Sequence, residues 1–230
     1  MKNKKKIVLI IAPHCDDEVL GCGGYISKFN NLKEFHVLYL TNANKGDPKK
    51  YSEKSIQLIR NEAKKSSKFL KIKNFYFENF PAPQLDLFPS NVITDKILKY
   101  LKLINPNEVF LPYYNDTHVD HQKIYLSAIT ALRPFVLKNK NIEKVLSYET
   151  LSETDYAIPN KKIFNPNYYV KLSNKNIDDK IKAMKIYKSQ LKVKPHPRST
   201  YGIKILASYR GLLSHTEYSE AFIIIRFYDN

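Results

Sequence analysis

Four ionisable side chains in a row, His14-Cys15-Asp16-Asp17, follow an apolar run and a proline, and a second polar cluster, Asp116-Thr-His118-Val-Asp120-His121, stands far downstream. His14 and Asp17 from the first cluster and His121 from the second supply two imidazoles and one carboxylate. That is a three-ligand set of the kind that holds a catalytic Zn²⁺ and keeps a fourth position for water. Asp16, His118 and Asp120 remain beside it, and amide hydrolysis needs such extra groups. The metal polarises the carbonyl and acidifies the water, a carboxylate accepts the water's proton, and an acid protonates the leaving amine. A histidine suits that last task and the stabilising of an oxyanion. Cys15 is by type a soft ligand or a nucleophile, but no His–Cys relay is evident. One aspartate after a strand is usually a helix N-cap, so Asp16 or Asp17 alone would be uninformative; two clusters of complementary donor type are not. Three of the six histidines fall in these clusters. His36, in mid-strand, reads as packing.

Elements must bring the clusters together. The run Ile7 to Ala12, rich in Val and Ile, suits a strand buried on both faces. Polar groups just past the carboxyl end of such a strand lie where open α/β sheets place their ligands. Residues 18–30 read as a helix. Gly21, Gly23 and Gly24 lie in its first turns, which implies a close backbone approach or a tight turn. Residues 34–41 are a second strand, 42–50 a loop, and 52–70 a helix with Ile56, Ile59, Ala63 and Leu70 on one face. A short strand at 75–77 and a Pro-containing loop at 79–89 lead to Ser90 as N-cap. A helix through Ile93, Ile97, Leu101 and Ile104 ends at Asn105-Pro106. Residues 109–113 form a fourth strand, followed by the second cluster and a helix to about 132. Strands at 145–149 and 168–172, helices at 176–191 and near 200–213, and a terminal strand at 221–227 complete the pattern. Asp178 and Asp179 are placed in the first turn of the 176–191 helix, where they suit its dipole. Repeated strand–helix alternation predicts an α/β fold with a mostly parallel, doubly wound sheet.

At 230 residues the chain is most simply one domain with a substantial core. Two cysteines, Cys15 and Cys22, cannot support a disulfide framework, and a reduced, cytoplasmic setting fits. The basic start followed by IVLII imitates a signal peptide. It runs into His14 and two aspartates instead of a cleavage site, and reads as the first strand. No run approaches the ~18 apolar residues of a membrane span. The net charge of +16 is nearly all lysine, with arginine only at 60, 133, 198, 210 and 226. Base and phosphate recognition leans on arginine forks, so a lysine-rich solvated surface is expected and nucleic acid is not the partner.

The segments PHCDDEVLGCGG and DTHVDHQ resemble the two signatures of the PIG-L/LmbE-like zinc de-N-acetylases, usually H-P-D-D-E followed by G-x-G-G, and H-x-D-H. Further pieces agree: Arg60 and Glu62, Arg133-Pro134, Ser147-Tyr148-Glu149, Tyr187 to Gln190, PHPRS at 195–199, Tyr209-Arg210-Gly211 and Glu220-Ala-Phe222. The resemblance implies a single Rossmann-like, three-layer αβα domain that hydrolyses the acetamido group of an N-acetyl-hexosamine derivative. Carried over by motif, His14, Asp17 and His121 hold the metal, and Asp16 is the general base. His118 is the electrophile and proton donor, while Asp120 orients an imidazole. Zn²⁺ is implied, with Fe²⁺ or Co²⁺ also open to a His/His/Asp set. Cys15 replaces the usual proline, and Lys71 stands where a glycine is common.

Loops 42–50, 79–89, 150–166 and 192–200 should choose the substrate, an acetamido sugar free or conjugated to a nucleotide, lipid or other group. Arg60 is a possible sugar contact. Lys194, His196 and Arg198 could meet a phosphate or carboxylate, on a loop whose prolines limit its entropy loss. Asp116 is near enough to touch substrate or His118. Two other classes stay open: a Mg²⁺-dependent phosphoryl-transfer enzyme, which would favour carboxylates over histidine, and a non-catalytic sugar- or anion-binding module. An oligomer is possible.

Overall fold

The Ile- and Val-rich run forms β1 (Lys6–Ala12), and its residues Val8 to Ala12 are wholly buried. Alternate side chains go to opposite faces, as the period of a strand requires. Val8, Ile10 and Ala12 enter one core and Leu9 and Ile11 another. Burying each such aliphatic side chain is worth about 1.5–3 kcal/mol, so β1 anchors the sheet. A computed structural model describes residues 5–138, 141–156 and 163–229.

On one side β1 pairs in parallel with β2 (Lys33–Asn42), which pairs with β3 (Asn74–Pro81); on the other it pairs with β4 (Glu108–Leu111), then β5 (Lys144–Tyr148). β7 (Tyr218–Phe227) runs antiparallel to β5 and carries β6 (Tyr168–Leu172) at the edge, giving the order β3-β2-β1-β4-β5-β7-β6. Helices α1 (Asp17–Phe29), α3 (Glu53–Phe69), α7 (Asn174–Ile186) and α8 (Thr200–Leu213) contribute to the core on the Val8 face. Helices α4 (Ser90–Ile104), α5 (Val119–Ala131) and the one-turn α6 (Pro134–Leu137) cover the Leu9 face. One-turn α2 (Ala43–Gly46) lies in the loop after β2. The expected α/β class, three layers and mostly parallel sheet are all present. The chain moves outward from β1 through β3, then crosses back to β4 beside β1. The crevice at their carboxyl ends is thus the point where strand order reverses.

The glycines of α1 have the expected explanation. A Cβ on Gly21 would stand 2.3 Å from Tyr148 Cδ2, and one on Gly24 would stand 2.4 Å from Leu172 Cδ1. Helix and sheet meet too closely for side chains there. Glu220 of β7 fastens the same helix, accepting from Gly24 N at 2.7 Å and Tyr25 N at 2.6 Å. Buried Lys180 pairs with Glu220 at 2.7 Å and donates to Leu20 O at 2.7 Å. Lys71 adopts φ 60°, the left-handed conformation that favours glycine after a helix.

Several boundaries differ from expectation. β3 runs on to Pro81, with an irregularity in its register opposite β2 between Tyr39 and Thr41. Ser90 is the first residue of α4 and not its cap, a place taken by Pro89. α7 begins earlier because Ser173 and Asn176 form a reciprocal capping box. Asp178 and Asp179 therefore fall beyond the first turn, and Asp179 instead bonds Lys175 and Ser27. α7 also stops at Ile186, short of 191, because Tyr187 leaves helical geometry at ψ 63°. In the 150–166 loop, residues 157–162 lie outside the described residues.

Candidate active site

β1 delivers the first cluster. Thr41 of β2 ties down the turn by donating from Oγ1 to Pro13 O at 2.7 Å. Asp16 stands at the N-cap of α1 with φ 115°, yet its carboxylate makes no capping bond. The bland explanation for an aspartate at this position is thereby removed, and the strained backbone turns a buried carboxylate to other use. Asp17 Oδ2 accepts from His14 N at 2.8 Å, which folds the turn around it.

β4 delivers the second cluster. His118 caps α5, its Nδ1 accepting from Asp120 N at 3.2 Å. Within the next turn His121 is fully buried and points Nδ1 at Asp116 Oδ2, 2.7 Å away. Two clusters remote in sequence meet here, with the His14 and His121 ring centroids 5.3 Å apart.

Asp17 Oδ2 lies 3.4 Å from His14 Nδ1 and 3.4 Å from His121 Nε2. Donors about 2.0–2.1 Å from a tetrahedral zinc are roughly 3.3 Å apart along each edge, so these separations suit one shared ion. His121 Nε2 is buried and has no hydrogen-bond partner, although buried polar atoms are nearly always satisfied. The residues fit a divalent metal. Among the described residues a second group of donors, His14, His118 and Asp120, shares His14 with the first.

The electrostatics divide the labour. Burial works to raise the Asp17 carboxyl, but the His121 and His14 imidazoles outweigh it and hold Asp17 far below the usual carboxylate range. Burial opposes charge on His14, yet Asp120 and Asp17 lift its pKa to about 9. His121 is likewise raised despite burial, by Asp17 and Asp116. Asp16 moves the other way: burial and the charge of Asp17 push it well up, against the pull of Arg198. Burial and the two neighbouring imidazoles depress His118 to about 4. Because His118 Nδ1 already accepts a backbone N–H, the neutral ring carries its proton on Nε2.

The remaining residues named from the sequence fall into two groups. Asp120, fully buried, approaches His14 Nε2 at 3.1 Å and accepts from Leu85 N at 3.2 Å. Arg198 Nη1 lies 3.5 Å from Asp16 Oδ2, and Arg60 borders the same cleft. Arg60 is largely engaged already, donating to Glu78 O at 2.6 Å and Asn79 Oδ1 at 2.9 Å with its guanidinium over Phe77. Asp116 does not border the cleft: it is wholly buried, with its oxygens directed at His121 and at Thr154 Oγ1, 2.6 Å away. Nor does His196 border the cleft; its Nδ1 accepts from Arg198 N at 3.1 Å and shapes the loop.

The cleft measures about 260 Å³. His14, Asp16, Asp17 and His118 form its reactive end, and Tyr51, Ile56, Ile59, Ala82, Pro83 and Leu151 give it an apolar wall. The sequence places Thr154 and the cleft residue Glu153 in the 150–166 loop but singles out neither. Their only signal is position, just beyond the carboxyl end of β5.

A doubly wound sheet with a His/Asp metal site at its switch point, flanked by a buried carboxylate and a neutral imidazole, has the form of a metal-dependent hydrolase. Comparison narrows this. The model of the family described as PIG-L, GlcNAc-PI de-N-acetylase, matches residues 9–132, and the chain belongs to that family. It is 27% identical over 229 residues to a diacetylchitobiose deacetylase of Thermococcus kodakarensis, covering 95% of this chain and 82% of that one. The crystal structure of the conserved protein TT1542 from Thermus thermophilus is similar at TM-score 0.75 and 25% identity, covering 97% of this chain and 96% of the other. The N,N'-diacetylchitobiose deacetylase from Pyrococcus horikoshii, complexed with an inhibitor, matches at TM-score 0.77 and 22% identity, over 96% and 84% of the two chains.

Proposed function

We propose that this protein hydrolyses the acetamido group of an N-acetylated amino sugar, using zinc held by His14, Asp17 and His121. The observation that carries the proposal is His121 Nε2, buried without a partner and 3.4 Å from Asp17 Oδ2. A divalent ion held by His14, Asp17 and His121 would supply Lewis acidity to the amide carbonyl and to the attacking water. Asp16 is the base: its carboxyl is raised by burial, giving it the proton affinity that task needs. His118, neutral with its proton on Nε2, donates a hydrogen bond to the developing oxyanion, and the proton that Asp16 takes from the water goes on to the leaving amine. Asp120 holds the His14 ring. The apolar wall excludes water from the sugar face. Two imidazoles among three donors favour zinc, iron or cobalt over the oxygen-only shell of magnesium, which weighs against phosphoryl transfer.

Arg198 meets Asp16 and borders the cleft, so an anionic substituent on the substrate would compete with Asp16 for it. Replacing Arg198 by alanine should then raise KM for anionic acetamido sugars more than for neutral ones; equal KM changes would end that role. Among the described residues no helix is long and apolar enough to cross a membrane. Both cysteines are free, which supports work in a reducing cytoplasm. The decisive assay is acetate release from a panel of N-acetylglucosamine derivatives, before and after chelation. Activity should vanish on metal removal and return with Zn²⁺ or Co²⁺. Full activity in metal-free protein would overturn the reading.

A further inference from the structure

Asp116 is itself held in place. Its Oδ2 faces His121 Nδ1 at 2.7 Å, and its Oδ1 accepts from Thr154 Oγ1 at 2.6 Å. The Thr154 oxygen in turn accepts from Thr150 N at 2.8 Å. A hydroxyl has one proton to give, and with a main-chain N–H already directed at its oxygen, that proton goes to Asp116. As a carboxylate Asp116 accepts on both oxygens, from Thr154 at Oδ1 and from His121 at Oδ2, so His121 presents N–H at Nδ1. This leaves Nε2 as the ring atom free to ligate, and it is the atom the structure shows without a partner.

We propose that Thr154 is a positioning residue for the metal site, its hydroxyl acting through Asp116 to fix the tautomer and orientation of His121. The inference rests on the metal reading above. Thr154 sits in a closed turn, its N donating to Thr150 O at 2.9 Å. Thr150, Leu151, Ser152 and Glu153 of this turn border the cleft. The turn is also fastened to the second cluster, since Thr117 N donates to Glu153 O at 3.2 Å and the Thr117 hydroxyl donates to Tyr156 O. One short segment therefore forms a wall of the substrate cleft and sets the metal ligand's ring. Changes to that wall are felt at the metal through Thr154.

The test compares Thr154→Val, which keeps the shape and loses the hydroxyl, with Thr154→Ser, which keeps the hydroxyl. Zinc affinity is measured by competition with a chromophoric chelator, and the His121 ring is followed by ¹⁵N NMR of the zinc-loaded protein. Losing an outer partner of a metal-bound histidine typically costs about 10–100-fold in affinity. Thr154 acts one bond beyond that partner, so Thr154→Val should weaken zinc toward the lower end of that range, about tenfold, and lose the protected Nδ1–H signal, while Thr154→Ser should stay within about threefold of the native chain. Should the valine variant fold poorly, Thr154→Ala gives the same comparison. Native-like affinity in the variants lacking the hydroxyl, or a serine variant as weak as they are, overturns the inference and leaves the metal reading standing. A native chain that binds no divalent ion overturns both.

Discussion

Replacing Asp16 by asparagine separates chemistry from architecture at this site. Asp16 occupies φ 115°, a region in which Asn and Asp are the most tolerant residues after glycine. Its side chain makes no capping bond, so α1 loses nothing at its N-terminus. An amide oxygen can still face Arg198 across the 3.5 Å gap. The three donor atoms, His14 Nδ1, Asp17 Oδ2 and His121 Nε2, are untouched. What disappears is the carboxylate proposed above to accept the water's proton. Removing a general base typically costs 10²–10⁴ in rate, which is about 3–5 kcal/mol at 1.36 kcal/mol per tenfold. Acetate release, zinc content and thermal midpoint are measured on the same preparation. kcat should fall by about 10²–10⁴, with zinc stoichiometry unchanged and the midpoint within a few degrees. A variant that keeps its zinc and more than about a tenth of native kcat would refute the base assignment. A variant that loses its zinc would instead place Asp16 among the ligands.

Two further substitutions test how α1 is seated. Gly21→Ala puts a methyl 2.3 Å from Tyr148 Cδ2, and that ring is fully buried with its hydroxyl bonded to Ile11 O at 2.9 Å. It cannot swing aside, so overpacking should cost about 1–3 kcal/mol in urea unfolding; an unchanged midpoint would mean the helix has slack. Lys180→Met strands the Glu220 carboxylate, buried against two main-chain N–H groups, at a cost of about 3–5 kcal/mol. Adding Glu220→Gln should recover part of that loss, and strict additivity of the two would show that the pair is not coupled.

The parts of this protein legible in its sequence are those whose cause is local. β1 is readable because Ile, Val and Leu fill every position from Ile7 to Ile11, and a strand buried on both faces admits little else. The two clusters are readable because polar groups after such strands fall at the carboxyl edge of the sheet. The irregular ends of α4 and α7 are not. Whether Ser90, or Pro89 before it, occupies the cap depends on how the preceding loop is packed. The start of α7 depends on Asn176 reaching back to Ser173. The antiparallel insertion of β7 between β5 and β6 leaves no mark in the pattern, because its pairing is settled by strands far away in the chain.

The candidate site divides along the same line. His14, Asp16, Asp17, His118, Asp120 and His121 come from two short segments, each folded by its own turn, and their residue types alone suggest the chemistry. The groups that tune them come from elsewhere. Arg198 reaches Asp16 from the loop before α8, Thr154 reaches Asp116 from the loop after β5, and Tyr187 donates to buried Glu18 at 2.6 Å from the end of α7. Asp116 shows the limit most clearly. Read by spacing it could touch substrate or His118, because it lies two residues before His118. The helical turn that begins at His118 brings His121 back over it, and the loop after β5 closes it off from the other side. A carboxylate with both oxygens taken and no exposed surface can orient a ligand but cannot meet one.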